Sequence, residues 1–383
     1  MICIVILKMV TLFAYCIVSI LATVVSSTSL DLHLFTNEQS VAHGARCLDG
    51  SPSGYYYRAG SNKTSWAIFL QGGGFCDRES SCTSRSHGPR GSSKNWPSQT
   101  NGEGILSTDS TGNKDFYSWN HVFIPYCGGD FHTGQRTSPN EWNLFFAGHL
   151  TIETIISDLL NMTNLNQSQT ILVSGESAGG IGAFEHADYF ATTLHWATVK
   201  SAPIGGLFFP ENVSGYSFWV KNEEQPPRNS SIYDLYRSFT EEKCTKANPD
   251  KPYWCGPANI AFLYPYIETS LYVIENQYDS NQLFVQLGCP KQNTPDAIRY
   301  IEYYGDHMRA TMMNITRSPK GDGLFGPSCL DHTGNFGLPY EGVTIKNTTY
   351  GESLGDWYFN RKGLTQLMDD CPKPCNKECK TRF

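Results

Sequence analysis

Residues 170–180 read TILVSGESAGG, an apolar run that leads into small residues around one serine. The apolar run predicts a β-strand, and residues 181–190 can form a helix. A G-x-S-x-G pattern between a strand and a helix places the serine on a tight, strained turn with its hydroxyl exposed. Glycine is needed on each side because a side chain there would crowd the turn. Taken alone, the pattern also fits an ordinary strand-to-helix turn, so other features must decide whether Ser177 is a nucleophile.

A second glycine cluster lies upstream, where residues 65–76 read SWAIFLQGGGFC. Residues 65–70 predict a strand, which we expect to form a β-hairpin with a strand over residues 55–58. Three glycines leave the loop without side chains, so its amides can approach a ligand closely. The alternative is a flexible turn. We interpret the loop as part of an oxyanion hole, to which the residue after the serine adds a second N–H group.

A serine nucleophile needs a base and an acid that orients the base. In the order typical of α/β-hydrolases, the acid follows the serine and the base comes last. Asp279 follows an apolar run at residues 271–274, which predicts a loop position after a strand. Asp296 and Asp306 lie near or on a predicted helix and are less suitably placed. The alternative role of Asp279 is a helix N-cap, and the two roles are compatible.

Two histidines follow Asp279 in the chain, His307 and His332. His307 lies in helix-like sequence, where a histidine is usually only packed. His332 lies in a loop near the end of the chain, and loops commonly carry functional residues. We therefore predict Ser177, His332 and Asp279 as nucleophile, base and acid.

Strands and helices alternate along the chain, which predicts an α/β fold with a mostly parallel sheet. One α/β domain is expected over residues 28–383. Residues 200–265 have a weaker pattern, interrupted by prolines and sequons, and predict a cap-like insertion over the sheet. Residues 364–383 form a cysteine-rich tail.

The N-terminal segment predicts export. Lys8 precedes an apolar run at residues 9–25, and small residues follow. This pattern is typical of a signal peptide over residues 1–27, and the alternative is a signal anchor. No second run is long enough to span a bilayer, so stable membrane insertion of the body is not expected. A net charge of −7 without a long basic run argues against nucleic acid as a partner.

Cysteines and sequons agree with an extracellular location. Of 13 cysteines, Cys3 and Cys16 lie in the targeting segment. The odd number left indicates disulfides plus at least one thiol that is free or paired between chains. Local pairs are expected between Cys76 and Cys82 and between Cys244 and Cys255. The cysteine spacing does not match a zinc site, so no metal is predicted. Seven N-x-[ST] sequons are glycosylation candidates, namely Asn62, Asn161, Asn166, Asn212, Asn229, Asn314 and Asn347.

With these motifs in place, the chain resembles the pectin acetylesterase/Notum family of secreted serine carboxylesterases. The motifs that carry the resemblance cover nearly all of the chain after the signal segment, in order: CLDGSP at 47–52, LQGGGFC at 70–76, GILS at 104–107, GESAGG at 175–180, YDS at 278–280, CLDH at 329–332, GDWY at 355–358 and CPKPCN at 371–376.

The resemblance implies an α/β-hydrolase-like fold and a carboxylesterase that uses Ser177, Asp279 and His332. It also implies that Gly73 or Gly74, together with Ala178, donates the N–H groups of the oxyanion hole. The implied reaction is acyl transfer through an acyl-enzyme, without a metal or organic cofactor.

The implied substrate is an acylated polysaccharide or an acylated protein. Gly74 is similar to the acetylesterase pattern, because Notum proteins carry a bulky aromatic residue there. This favours removal of O-acetyl groups from polysaccharide. The first alternative is Notum-like removal of a palmitoleoyl group from Wnt proteins, for which residues 122–127 are more similar. A long acyl chain would need an apolar slot, and four aromatic residues offer either such a slot or core packing: Phe208, Phe209, Phe218 and Trp219. The second alternative is a catalytically silent protein that binds a glycan or lipid in the same cleft.

Overall fold

The structure is a computed structural model that describes residues 28–208, 228–291, 294–371 and 373–380. The predicted signal peptide, the sequon at Asn212 and the aromatic residues Phe209, Phe218 and Trp219 lie outside these ranges.

The described strands follow one another along the whole chain. They are β1 (Ser29–Leu34), β2 (Gly54–Arg58), β3 (Ser65–Leu70), β4 (Gln99–Asn101), β5 (Asn120–Ile124), β6 (Thr170–Glu176), β7 (Thr198–Ile204), β8 (Tyr272–Ile274), β9 (Tyr278–Asp279), β10 (Gly323–Gly326), β11 (Leu330–Asp331), β12 (Thr344–Ile345), β13 (Thr348–Thr349) and β14 (Gln366–Met368).

The described α-helices alternate with these strands. They are α1 (Asn37–His43), α2 (Glu79–Ser86), α3 (Gly148–Met162), α4 (Ala178–Glu185), α5 (Ala187–Thr193), α6 (Arg228–Tyr236), α7 (Glu242–Ala247), α8 (Ile260–Leu263), α9 (Pro295–Thr316) and α10 (Tyr350–Tyr358).

Ten of the described strands form one sheet in the order β14-β10-β8-β7-β6-β3-β5-β2-β1-β4. Neighbouring strands are parallel from β14 to β5, whereas β2, β1 and β4 are added antiparallel at one side. The predicted α/β class with a mostly parallel sheet is confirmed. In such a sheet the carboxyl ends of the parallel strands meet at one edge, and ligands bind outside that edge.

Both faces of the sheet are covered by apolar side chains. Ile68 and Val173 belong to the cluster that includes the buried face of α3, while Ala67 and Leu172 belong to the cluster that includes α10. This alternation follows from the two-residue period of a strand. The central strands therefore read as continuous apolar runs, as expected where both faces are buried.

The predicted hairpin between β2 and β3 is wrong. β2 pairs antiparallel with β1 and β5, and β3 pairs parallel with β5 and β6. β5, which comes about fifty residues later, separates the two strands in the sheet. Ala67 and Ile68 are fully buried on opposite faces of β3, which suits a central parallel strand and not one arm of a hairpin.

Two of the expected ranges contain strands of the sheet. Residues 200–204, expected at the start of the cap-like insertion, belong to β7, where Ala202 and Ile204 are buried in the sheet. The expected cysteine-rich tail contains an edge strand, because β14 pairs with β10. Both segments are short, and sequence patterns alone place such boundaries poorly.

Disulfides tie distant parts of the chain together. The described pairs are Cys47–Cys127, Cys76–Cys82, Cys244–Cys255, Cys329–Cys379 and Cys371–Cys375. The two predicted local pairs are among them. Cys289 is the unpaired cysteine of the described residues, and it is buried.

Candidate active site

Ser177 occupies the turn between β6 and α4, at the carboxyl edge of the sheet. Its backbone has φ 54° and ψ −119°, a strained conformation for a residue with a side chain. The Ser177 N–H donates to the carbonyl of Ile204 at 2.8 Å, which fixes the turn against β7. A Cβ atom at Gly179 would lie 2.0 Å from the carbonyl oxygen of Leu70, so only glycine fits there. The turn thus has the conformation that the G-x-S-x-G pattern predicts.

His332 lies directly after β11 and reaches Ser177 from a loop. Its Nε2 atom is 2.7 Å from the Ser177 Oγ atom. The Asn276 side-chain amide donates to the carbonyl of His332 at 2.7 Å, and the Cys329–Cys379 disulfide anchors the same loop three residues earlier. These contacts hold the imidazole in position on the serine.

Asp279 completes the arrangement from the other side of the imidazole. β9 pairs in parallel with β11, with Asp279 opposite Asp331, so two short strands bring the carboxylate and the histidine together. The His332 Nδ1 atom is 2.5 Å from Asp279 Oδ2, and Asp279 is fully buried. Asp279 Oδ1 also accepts the backbone N–H of Gln282 at 2.8 Å, so the residue also acts as a cap.

The other candidates for the base and the acid lie outside the site. His307, Asp296 and Asp306 are exposed on α9. His307 packs on Tyr303, with ring centroids 4.3 Å apart, while Asp296 and Asp306 pair with arginines on the same helix. The structure therefore brings together Ser177, His332 and Asp279 and leaves these three outside the site.

The pKa of His332 is raised above its ordinary value by a balance of opposing effects. Burial of the ring, the largest effect, lowers the pKa. The charge of Asp279 and the hydrogen bond to it raise the pKa, as do the charges of Asp331 and Glu176. A histidine made more basic in this way is well suited to accept a hydroxyl proton.

The glycine loop at residues 72–74 packs directly against the serine turn. A Cβ atom at Gly72 would lie 2.5 Å from the Glu176 carbonyl oxygen and 3.0 Å from the Ser177 Cβ atom. The Arg85 guanidinium donates to the Gly73 carbonyl at 2.7 Å, and the Cys76–Cys82 disulfide closes the loop from the other end.

The predicted N–H donors lie on two sides of the nucleophile. Gly73 and Gly74 are in this loop, and Ala178 is the buried first residue of α4. The N-terminus of a helix presents free N–H groups and a partial positive charge, which favour a developing oxyanion.

Two acidic residues at the site are absent from the sequence prediction. Glu275 is fully buried, its Oε2 atom accepts the Leu207 N–H at 2.9 Å, and its carboxyl hydrogen-bonds with Asp279. Burial raises the pKa of Glu275 well above its ordinary value, and the charge of Asp279 raises it further. Burial and the neighbouring carboxylate therefore both disfavour the charged form of Glu275.

Glu176, the residue before the nucleophile, is half-buried. Burial raises its pKa most, His332 and Arg90 lower it, and Glu103 raises it. The sequence does hold a signal for both acids, because each stands at the end of an apolar strand run, where a charge is costly unless the site uses it.

The sequons of the described residues lie mainly at the surface. Those with exposed asparagines are Asn62, Asn161, Asn166, Asn314 and Asn347. Asn229 lies in α6.

Comparison with known proteins identifies the family of the chain and agrees with the fold. A family model described as pectinacetylesterase matches residues 25–380. The chain belongs to the pectinacetylesterase family. Pectin acetylesterase 5 of Arabidopsis thaliana is 32% identical over 373 residues, which cover 88% of this chain and 82% of the relative. The palmitoleoyl-protein carboxylesterase NOTUM of Mus musculus is 28% identical over 388 residues, with coverage of 92% and 72%.

Solved structures give the same assignment. The structure of the Wnt deacylase Notum from Drosophila covers 92% of this chain and all of its own, with a TM-score of 0.80 and 27% identity. This member of the pectinacetylesterase family is therefore an α/β-hydrolase and a carboxylic ester hydrolase, and the resemblance drawn from its motifs is confirmed.

Proposed function

We propose that this pectinacetylesterase-family protein is a secreted serine esterase that removes O-acetyl groups from polysaccharide. The proposal rests on two consecutive contacts. Ser177 Oγ lies 2.7 Å from His332 Nε2, and His332 Nδ1 lies 2.5 Å from Asp279 Oδ2. The two distances are those of hydrogen bonds along which a proton can move off the serine.

In the acylation step, Ser177 Oγ attacks the ester carbonyl while His332 Nε2 takes its proton. Asp279 accepts the Nδ1 proton of His332 and stabilises the imidazolium that forms. The oxyanion is held by backbone N–H groups of Ala178 and of Gly73 or Gly74, at roughly 3 kcal/mol for each donor. His332 then gives its proton to the departing alcohol. Water attacks the acyl-enzyme by the same route in reverse and releases the acid.

The preference for an acetyl group is supported by the lack of a side chain at Gly74, where a long acyl chain would need an apolar wall. This residue carries no side chain, and a Cβ atom placed there would contact nothing within 4 Å. The named activity of the Arabidopsis relative agrees with this preference. The second candidate substrate is a longer acyl group on a protein, which the likeness to mouse NOTUM and Drosophila Notum favours.

Secretion is supported by two features of the described chain. Five disulfides are typical of an oxidising compartment, and five sequons expose their asparagines. No helix among the described residues has the length and apolar character needed to cross a membrane.

A fluorophosphonate probe tests the nucleophile. The wild-type protein should be labelled and should hydrolyse p-nitrophenyl acetate, while Ser177→Ala should do neither. Ser61→Ala, a change at an exposed serine, is the matched control and should behave as wild type. A folded wild-type protein that takes no label would be a binding protein, and the esterase proposal would be withdrawn.

A series of p-nitrophenyl esters tests the acyl group. We expect kcat/KM to be highest for acetate and to fall for octanoate and palmitate, because no side chain at Gly74 builds a wall for a long chain. A preference for octanoate or longer esters would replace the acetylesterase proposal with the Notum-like one.

A further inference from the structure

A cavity of about 460 Å³ lies beside the nucleophile. Its lining includes Glu176, which directly precedes Ser177, and Thr333, which directly follows His332. The remaining wall comes from the carboxyl ends of β3, β5 and β7, from β4 with the 3₁₀ turn Gly104–Leu106, and from Phe336 and Tyr350 with their neighbours. The cavity therefore reaches the chain neighbours of both Ser177 and His332, and its volume is in the range of ligand pockets.

The walls of the cavity combine aromatic rings with carboxylates. Phe69 and Phe123 stack with their ring centroids 6.4 Å apart, and Phe336 meets Tyr350 edge to face at 5.9 Å. Aromatic faces pack on the C–H face of a sugar ring, while carboxylate oxygens accept hydrogen bonds from hydroxyl groups. An acyl chain would gain no comparable benefit from these carboxylates, because each carboxylate would lose solvent without gaining a donor.

The charged side chains that line the cavity among the described residues are all acidic. Glu176 and Glu103 both line it, and among the described residues no lysine or arginine does. Neither glutamate forms an ion pair within the described part of the chain. Arg90, the cation that acts on Glu176, lies outside the lining and approaches the oxyanion loop at Gly73.

We propose that this cavity binds the alcohol part of the ester, and that this alcohol is a hydroxyl-rich sugar unit without a carboxylate, either neutral or aminated. The inference rests on the proposed esterase function and narrows its substrate class. A uronate ring, which makes up the backbone of pectin, would bring a third negative charge against Glu176 and Glu103. A neutral or amino sugar would instead supply the donors that these two acids lack.

Matched oligosaccharides test the selectivity. The value of kcat/KM is measured for an O-acetylated xylo-oligosaccharide and for an O-acetylated oligogalacturonide, with p-nitrophenyl acetate as a substrate that has no sugar. For the wild type we expect the neutral oligosaccharide to exceed the acidic one by about tenfold at low ionic strength. This preference should shrink as salt is added, because exposed charges are screened beyond about 10 Å at 0.1 M.

Glu103→Gln is the discriminating variant, since Glu103 is not among the charges that set the pKa of His332. It should reduce the preference for the neutral oligosaccharide by about threefold, mainly through KM. Glu38→Gln, at an exposed carboxylate of α1 outside the cavity, is the matched control and should leave the preference unchanged.

Failure of the inference is distinct from failure of the esterase proposal. If p-nitrophenyl acetate is hydrolysed but the acidic oligosaccharide is preferred, or Glu103→Gln leaves the preference unchanged, the assignment of the cavity is overturned and the esterase proposal stands. If p-nitrophenyl acetate is not hydrolysed and the fluorophosphonate does not label the protein, both are overturned.

Discussion

Two glutamates flank the candidate active site, and their surroundings are opposite. Glu176 precedes the nucleophile, is half-buried and faces a cavity. Glu275 lies four residues before Asp279, is fully buried and is enclosed by the Leu207 N–H and the Asp279 carboxyl. Burial raises the pKa of both acids, but only Glu275 has a carboxylate as its direct hydrogen-bond partner.

The difference shows that access to solvent and to hydrogen-bond partners decides whether a carboxyl group acts through its charge or as a protonated donor. A carboxyl next to a cavity can keep its charge, because water or a ligand solvates it, and it then acts at a distance on His332 and on a substrate. A carboxyl sealed beside another carboxylate is disfavoured as an anion, which favours a protonated group that can donate a hydrogen bond. On the open side of the site, Glu176 contributes its charge. On the sealed side, Glu275 contributes to the positioning of Asp279.

Asp279, which lies beside the enclosed Glu275, should have the strongest influence on turnover. Asp279→Asn should lower kcat by about 10⁴-fold, because an amide cannot hold His332 in the required tautomer or stabilise its charged form. Steady-state kinetics with p-nitrophenyl acetate measures the loss. Asp331→Asn, on the paired strand, is the control and should cost less than about tenfold. Equal losses in the two variants would mean that Asp279 is not the orienting acid.

Glu275 should matter next, for stability. Glu275→Ala leaves the Leu207 N–H without its acceptor and opens a cavity, and should lower the free energy of unfolding by about 2 to 3 kcal/mol. Glu275→Gln keeps the acceptor and a donor and should cost less than about half of that. Urea denaturation measures both variants. Glu176→Ala, on the open side, should cost less than about 1 kcal/mol. A similar cost for all three variants would remove the distinction between the two sides.

Glu176 should have its clearest effect on the pH profile. His332 must be neutral to accept the serine proton, so kcat/KM falls as the pH drops through the pKa of His332. Since that pKa is raised, the acid limb should lie above about pH 6.5. Glu176→Gln removes a negative charge that raises the pKa of His332, so the limb should move down by about half a unit. An unchanged limb would show that Glu176 does not act on the base.

The same pH profile reports the charge of Glu275. If Glu275 already carries a proton, Glu275→Gln removes no charge and should move the same acid limb by less than about 0.3 units. A downward movement larger than that of Glu176→Gln would show that Glu275 is ionised. That outcome would reverse the assignment of the two glutamates.

Sequence patterns predict the parts of this site that are local in the chain. The turn around Ser177 and the glycine loop each follow a short motif, because strained turns and close backbone approach restrict the residue types. Asp279 and His332 follow from their order and from loop positions after strands. The α/β class follows from the alternation of strands and helices.

Features that depend on distant segments are not visible in the sequence. The pairing of β2 with β5 joins strands more than fifty residues apart, so the local pattern favours the wrong hairpin. The cavity beside Glu176 combines segments from Phe69 to Tyr350, and the enclosure of Glu275 depends on a contact with Leu207. An acidic residue after an apolar run marks a candidate site residue. Only the packed structure shows whether its surroundings favour the charged or the protonated form of the carboxyl group.

The Cys329–Cys379 disulfide has a consequence for the order in which the protein becomes active during its synthesis. The strand and turn of Ser177 come first along the chain, whereas the loop of His332 is fixed to a cysteine that lies 50 residues beyond Cys329. A nascent chain can therefore present the serine turn well before the base is anchored. We therefore expect ester hydrolysis to begin only after Cys379 has been synthesised and this cross-link has closed.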